Sequence, residues 1–157
     1  MVQIYILAVG GKSPAWVESG VAEYLLRMPH GCKVKLVTVA TTKRVKNISI
    51  PQAQEREQDL LLKNTPNNSL RIALDEHGKT WTTAVLASKL ASWLQNTPVV
   101  TIYIGGPDGF TPDFLNRVDM VLSLSSLTMP HMLVRLVLVE QLYRAWTITQ
   151  GHPYHRE

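Results

Sequence analysis

The sequence predicts an α/β fold in which a mostly parallel β-sheet is flanked by helices. Short apolar or alternating runs, typical of strands, recur along the chain, and amphipathic runs with helix-capping residues separate them. Strands separated by helices of about 10–15 residues imply crossover connections between parallel strands. The chain has 157 residues, of which 45% are hydrophobic and 18% charged, so we expect one folded domain over residues 1–157.

The first half of the chain predicts two strands and two helices. An unbroken apolar run before Gly10 is typical of a strand buried on both faces. Ser13 and Pro14 are expected to supply a cap and a first-turn proline to the first helix. The predicted elements are a buried strand over residues 1–9, a helix over 13–28, an alternating strand over 33–39, a polar basic loop over 41–47 and a second helix over 51–63.

The second half continues the alternation. The third strand is expected to end at Leu74, where the polar turn of residues 75–79 follows. Threonines, and then a proline, provide helix starts for the elements after it. The remaining predicted elements are a helix over residues 82–94, a strand over 99–104, a short helix that begins at 111, a strand over 120–124 and a long helix over 130–149.

Two loops follow predicted strands and are candidates for a binding site. The glycine loop, IGGPDG, covers residues 104–109, and the serine loop, LSLSSLTMPH, covers residues 122–131. Ligands on parallel sheets bind beyond the carboxyl ends of strands, where these loops and the turn after Leu74 are expected to meet. The spacing of the glycines excludes a dinucleotide fingerprint and a P-loop. Each loop therefore predicts either a tight turn or helix approach, or a backbone wall of a cofactor pocket.

The long helix and the tail after it carry polar groups in an unusual setting. The helix is apolar over more than one face, so it predicts packing on the sheet and on a second subunit. Arg144 lies four residues after Glu140 and predicts either a surface ion pair or a cation aimed at a phosphate or base. The tail, HPYHRE, is either a frayed end or a site in which Tyr154 stacks, His155 moves a proton and Arg156 binds phosphate.

Charge and cysteine content narrow the setting of the protein. The net charge of +4 permits an RNA partner, and Lys43, Arg44 and Lys46 form a loop that is either solvated or a phosphate contact. Cys32 is the only cysteine, which excludes an internal disulfide and fits a reducing cytosol. No apolar run reaches the roughly 20 residues of a membrane span, and no signal-peptide pattern is present, so we expect a cytoplasmic protein.

Three segments resemble a known family: IGGPDG, HPYHRE, and the stretch SLSSLTMPHMLVRLVLVEQLYRAW. They are similar to bacterial large-subunit ribosomal RNA methyltransferases that modify N3 of a pseudouridine, enzymes of the SPOUT class. The resemblance covers essentially the whole chain, including the GGKSPAW region. Two positions depart from the family pattern. Asp108 stands where Glu is common and keeps the carboxylate, and Met129 stands where Leu is frequent and conserves volume.

The resemblance implies a fold, a cofactor and partners that the residue patterns do not. It implies a C-terminal trefoil knot, a homodimer, S-adenosylmethionine bound in bent form within the knot, no metal, and 23S ribosomal RNA of the large subunit or whole ribosome as substrate, with no membrane or DNA partner. The implied reaction region is Arg144, Tyr154 and His155. The implied cofactor residues are Leu74, Gly106, Ser125, Ser126, Leu127, Thr128, Met129 and Pro130.

Two other functions remain as alternatives to a methyltransferase. A non-catalytic RNA-binding or ribosome-associated domain would keep the basic loop and the tail but would have no affinity for S-adenosylmethionine. A nucleotide hydrolase is disfavoured, because there is no P-loop lysine and Asp75, Glu76 and Asp108 form no recognisable metal triad.

Overall fold

The computed structural model describes residues 1–155 and contains a five-stranded sheet in which every neighbouring pair of strands is parallel. The strand order is β2-β1-β4-β3-β5, which confirms the predicted α/β class. The strands are β1 (Val2–Val9), β2 (Cys32–Val39), β3 (Leu70–Thr80), β4 (Val99–Ile104) and β5 (Met120–Ser123).

Helices cover both faces of the sheet, because the side chains of its central strands are apolar in both directions. In β1, Ile6 packs with one group of helices and its neighbour Leu7 with the other, and both side chains are fully buried. Three helices cover the first face, namely α1 (Ala15–Arg27), α3 (Thr83–Asn96) and α5 (His131–Thr149). Two cover the second face, namely α2 (Ile50–Lys63) and α4 (Pro112–Arg117).

The third strand differs from its prediction, since it does not end at Leu74 but continues to Thr80. Leu74 and Lys79 both pair with Leu122, so the polar segment between them bulges out of the ladder. The return of the chain depends on Gly78, where a Cβ atom would lie 2.8 Å from the backbone of Leu122. The predicted turn over residues 75–79 is therefore wrong: the segment is extended and rejoins the sheet, for which its polar composition gave no signal.

The start of α1 also differs from its prediction. The helix begins at Ala15, with Pro14 in the capping position and no side-chain cap. The Ser13 hydroxyl accepts a hydrogen bond from Arg135 Nη1 at 3.1 Å and donates to Met132 Sδ at 3.2 Å. Ser13 therefore connects the end of β1 to α5 instead of capping a helix.

Helix α5 is buried more completely than its sequence required. No residue between His131 and Thr149 is fully exposed, and Arg135 has no exposed surface. The Arg135 guanidinium donates to the carbonyl oxygens of Val9, Gly10 and Gly11, so it closes the carboxyl end of β1. Helix α5 packs against α1, α3 and the sheet, so part of its wide apolar surface is covered by helices of the same chain, and the expected contact with a second subunit stays a prediction.

Strand order and pairing do not decide how the chain threads, so the trefoil knot implied by the family resemblance stays a prediction. Between residues 1 and 155, no helix has the length and apolar character needed to cross a bilayer.

Candidate active site

The bulge of β3 after Leu74 and the carboxyl ends of β4 and β5 border a cleft with a volume of about 690 Å³, a size typical of small-molecule sites. Its walls are the segment after Leu74, the glycine loop and the serine loop. Six of the eight residues expected to hold a cofactor line it, namely Leu74, Gly106, Ser125, Leu127, Thr128 and Met129. Ser126 and Pro130 belong to the serine loop but do not line the cleft.

The serine loop holds its own shape through short-range hydrogen bonds. Ser125 Oγ accepts from the Leu127 amide at 2.9 Å, and Ser123 Oγ donates to the Ser125 carbonyl at 2.9 Å. Neither Ser126 nor another side chain caps α5, whose first residue follows Pro130 directly. The turn raises Leu127 to the rim of the cleft with 76% of its surface exposed, where it can cover a bound ring.

The glycine loop is a tight turn and a cleft wall at once. The Gly109 amide donates to the Gly106 carbonyl at 3.1 Å, and Gly109 has a φ of +70°, in the region that favours glycine. A Cβ atom on Gly106 would lie 2.9 Å from Glu57 Oε1 and 3.0 Å from Val9 Cγ1. Gly106 is therefore required by the protein packed behind the loop, and not only by a ligand in front of it.

Acidic groups form one lip of the cleft. Asp75 is only 14% exposed in its side chain, and its Oδ2 accepts from the His77 amide at 2.9 Å and lies 3.2 Å from the His77 ring. Among residues 1–155, no three histidine, cysteine or carboxylate side chains are grouped so that they could hold a metal ion. The Asp75 carboxylate can instead bind ligand hydroxyls or a ligand cation.

His131 is a cleft residue that the sequence analysis did not single out as functional. It begins α5 and lines the cleft. Burial, and then the charge of Arg135, lower the pKa of His131 below its usual value of 6.5. Its imidazole is therefore neutral at pH 7 and can accept a proton or hydrogen bond. The signal available in the sequence was a histidine directly after a helix-starting proline at a strand-end loop.

The residues expected in the reaction region, Arg144, Tyr154 and His155, lie apart from the cleft. With Tyr24, Glu140 and Tyr143 they form a group that we call the C-terminal cluster. Arg144 Nε donates to Glu140 Oε1 at 2.8 Å, which confirms the predicted ion pair, and the guanidinium lies 5.2 Å from the centre of the Tyr154 ring. The tail as far as His155 is thus docked and not frayed, while Arg156 lies outside the described residues.

Tyr154 holds the tail in place through its hydroxyl. It donates to Glu140 Oε1 at 3.1 Å and lies 3.0 Å from the Tyr24 hydroxyl. Burial, and then the Tyr24 hydrogen bond, raise the pKa of Tyr154 well above its usual value, so the phenol is a hydrogen-bond donor at neutral pH. His155 Nδ1 is buried and has no hydrogen-bond partner among the described residues.

The cleft and the C-terminal cluster lie at opposite ends of α5. An α-helix rises about 1.5 Å per residue, so His131 and Arg144 are roughly 20 Å apart along the axis. None of Arg144, Tyr154 and His155 lines the cleft. The structure therefore brings most of the expected cofactor residues together and keeps the expected reaction residues away from them within one chain.

The basic loop before α2 is only partly a solvated surface. Arg44 forms ion pairs with Glu57 at 2.8 Å and with Asp108 at 2.9 Å, whereas Lys43 and Lys46 are exposed. Arg44 is thus committed to contacts within the chain, and the two lysines are the groups of this loop that face outwards.

Comparison with known proteins relates this architecture to one family. A family model described as "Predicted SPOUT methyltransferase" matches residues 2–155. Proteins named "Ribosomal RNA large subunit methyltransferase H" from Herminiimonas arsenicoxydans and Paraburkholderia phymatum are 47% and 46% identical over 154 residues, which is 98% of this chain and 99% of each relative. The protein of the same name from Thioalkalivibrio sulfidiphilus is 43% identical over 155 residues, 99% of each chain.

A solved structure shares the fold at low sequence identity. It is a probable methylase family protein from Haemophilus influenzae, 12% identical, with a TM-score of 0.53 over 94% of this chain. The present chain spans 66% of the length of that structure. At this identity the likeness concerns the fold alone.

Proposed function

The chain belongs to the SPOUT methyltransferase family, and from that premise we propose that it transfers a methyl group from S-adenosylmethionine to N3 of a pseudouridine in 23S ribosomal RNA. The observation that carries the proposal is a sequence identity of 43–47%, over nearly the full length of the chain, to relatives named as ribosomal RNA large subunit methyltransferases. The cleft at the β3 bulge and the carboxyl ends of β4 and β5 supports it independently, since its volume of about 690 Å³ suits a small-molecule cofactor.

The residues of the cleft fit S-adenosylmethionine chemically. When bound, that cofactor supplies a methyl group activated by a positively charged sulfonium. Backbone groups at Leu74, in the glycine loop and in the serine loop would hold the adenine and ribose, and the exposed Leu127 would cover a ring. The half-buried Asp75 carboxylate provides negative charge in a cleft that would receive a cation.

The separation of the cleft from the C-terminal cluster supports a homodimer with composite active sites. In such a dimer, Arg144, Tyr154 and His155 of one subunit would border the cleft of the other. Helix α1, which packs beside α5, exposes two large apolar side chains, Trp16 at 63% and Leu26 at 87%. A second copy of the chain would cover such surface and bring the two halves of the site together.

The side chains of the C-terminal cluster suit the chemistry at the base. Methyl transfer would form the bond between N3 and the methyl carbon as the bond from that carbon to the sulfonium sulfur breaks, which would leave a neutral thioether, and the N3 proton must leave to a base. Because Tyr154 donates its one hydroxyl proton to Glu140, its ring would stack on the base, and His155 would accept the N3 proton. Arg144 would orient the base or its phosphate, and the cofactor cleft would hold the methyl group in line.

The exposed Lys43 and Lys46 are candidate contacts to RNA phosphates. A net charge of +4 is modest for binding free RNA, so ribosomal shape would add to recognition. Action on the large subunit or whole ribosome implies a cytoplasmic enzyme. The trefoil knot, in which the C-terminal segment passes through a loop, belongs to the same proposal.

The proposal is tested by incubating the protein with methyl-labelled S-adenosylmethionine and, separately, with 70S ribosomes, 50S subunits and free 23S RNA lacking the modification. We expect label in ribosomal RNA, at N3 of one pseudouridine when nuclease fragments are analysed by mass spectrometry. Ribosome binding without methyl transfer or cofactor affinity would overturn the proposal in favour of a non-catalytic RNA-binding protein.

A further inference from the structure

The face of α2 that meets the glycine loop is polar and buried, which is unusual for a helix packed on a sheet. Gln54, Glu57 and Gln58 are each at most 9% exposed. Buried polar groups of this kind are retained only where they have hydrogen-bond partners. Their partners lie in the glycine loop, in the residues just after it, and in the basic loop.

The two glutamines hold the ends of the turn. Gln54 Nε2 donates to the carbonyl oxygens of Asp108 at 3.0 Å and Gly109 at 3.3 Å. Gln58 accepts from the Thr111 amide at 2.8 Å and donates to the Thr111 hydroxyl at 3.0 Å. The backbone on the side of the glycine loop away from the cleft is therefore fixed by side chains of α2.

Glu57 is the only charged member of this face, and its carboxylate is fully used. It accepts two hydrogen bonds from the Arg44 guanidinium, at 2.8 and 3.1 Å, and one from the Thr42 amide at 3.0 Å. Arg44 Nε then donates to Asp108 Oδ2 at 2.9 Å. A paired Arg–carboxylate contact of this geometry is directional, so Glu57 fixes Arg44 and Arg44 fixes Asp108 in the glycine loop.

Glu57 also touches the glycine loop directly. A Cβ atom on Gly106 would lie 2.9 Å from Glu57 Oε1, which means that the backbone of Gly106 lies against the carboxylate. The other side of the glycine loop forms a wall of the cleft. A change at Glu57 therefore displaces a ligand-facing backbone without altering a ligand-facing side chain.

We propose that Glu57 is a positioning residue for the cofactor: together with Arg44 it sets the conformation of the glycine loop in which the cleft binds S-adenosylmethionine. The identity of the ligand rests on the proposed function. Glu57→Gln conserves shape but replaces one acceptor oxygen by an amino group, which would face the N–H donors of Arg44 or Thr42. The loop then loses its link through Asp108.

The test compares Glu57→Gln with Glu55→Gln, which makes the same chemical change on the exposed face of the same helix. For Glu57→Gln we expect the Kd and the KM for S-adenosylmethionine to rise about tenfold, while kcat at saturating cofactor and the KM for ribosomes stay within about twofold. Glu55→Gln should behave as the unmodified protein. An equal loss of kcat, or an unchanged cofactor KM, would overturn the proposal.

Amide hydrogen exchange separates this inference from the proposed function, because it needs no ligand. Exchange at residues 105–111 should be faster in Glu57→Gln than in the unmodified protein and in Glu55→Gln. If the unmodified protein binds no S-adenosylmethionine but this exchange increases, the proposed function fails and the positioning role of Glu57 stands. Unchanged exchange would overturn the role itself.

Arg44→Lys provides a second route, should Glu57→Gln fail to fold. It keeps the charge but loses the paired contact, so a smaller rise in cofactor KM is expected. In the double variant Glu57→Gln, Arg44→Gln, the rise in cofactor KM should be smaller than the two single effects combined, since both changes break the same connection from Glu57 through Arg44 to Asp108. Additive effects would contradict the connection.

Discussion

The two halves of the proposed active site, the cleft and the C-terminal cluster, differ in the kinds of groups that form them. The cleft is lined by the β3 bulge, the glycine and serine loops and the start of α5, so glycines, apolar side chains, Asp75 and His131 all border it, and α2 supports the glycine loop from behind. The C-terminal cluster is made of side chains that contact one another: a guanidinium, a carboxylate and tyrosine rings that meet edge to face. The comparison teaches that the shape of the cleft depends mainly on the backbone path of the β3 bulge and the two loops, whereas the C-terminal cluster depends on the identity of its side chains.

The largest effect is expected from Gly106→Val. The added side chain would press against Glu57 and Val9, so the glycine loop must shift and S-adenosylmethionine affinity should fall by more than about a hundredfold. Calorimetric titration measures it. Gly31→Val is the matched control, since a Cβ atom there meets nothing within 4 Å. Normal affinity in Gly106→Val would show that the cleft does not depend on this backbone.

The next largest effect is expected from Arg144→Ala, which should alter the C-terminal cluster and leave the cleft unchanged. We expect methyl transfer to ribosomes to slow by about a hundredfold with S-adenosylmethionine affinity unchanged, because Arg144 does not line the cleft. Transfer rate and calorimetric Kd are measured on one preparation, with Arg56→Ala on the exposed face of α2 as control. A full transfer rate would remove Arg144 from the reaction region.

Mixed dimers sharpen the comparison further. In a dimer of one Gly106→Val chain and one Arg144→Ala chain, a composite arrangement leaves one intact site, with the cleft of the second chain facing the Arg144 of the first. We expect co-expressed, differently tagged chains to recover about half of the activity of the unmodified dimer. Sites formed within single chains would leave such dimers as inactive as Arg144→Ala alone.

A smaller effect is expected from Tyr154→Phe. The ring keeps its contacts with Tyr143, but the hydrogen bonds to Glu140 and Tyr24 are lost, which costs about 1–2 kcal/mol and about a tenfold loss of transfer rate. Urea unfolding and methyl transfer measure the two losses. Tyr5→Phe, whose hydroxyl contacts only Gln3 in the described residues, controls for removing a hydroxyl. An unchanged rate would leave Tyr154 with a docking role only.

The smallest effect is expected in the pH dependence of stability, which tests His131, a residue of the cleft and not of the C-terminal cluster. Because the pKa of His131 is lowered by burial and by Arg135, the unfolded chain takes up a proton that the folded chain resists as the pH falls below 6.5. Stability should therefore fall with pH in that range, and His131→Gln should reduce the fall. Urea unfolding at pH 7.5 and 5.5 measures it. Equal pH dependence in both proteins would contradict the lowered pKa.

Much of the fold could be predicted from local pattern. The apolar run of β1 predicts a strand covered on both faces, and Ile6 and Leu7 are buried on opposite sides. The site was predicted as far as its loops: strand ends of a parallel sheet share an edge, so the glycine and serine loops had to meet. The extension of β3 to Thr80 was missed, because only contact with Leu122 makes the segment a strand.

The sequence by itself determined most of the elements, the parallel class and the loops that border the cleft, because periodicity, capping and strand-end geometry act over a few residues. Only the tertiary structure decided which distant residues share a site. It joined Arg44 to Glu57 and Asp108, buried Arg135 at the end of β1, and separated Arg144 from the cleft by the length of α5. Such contacts depend on how helices pack across the sheet, which the order of residues does not reveal locally.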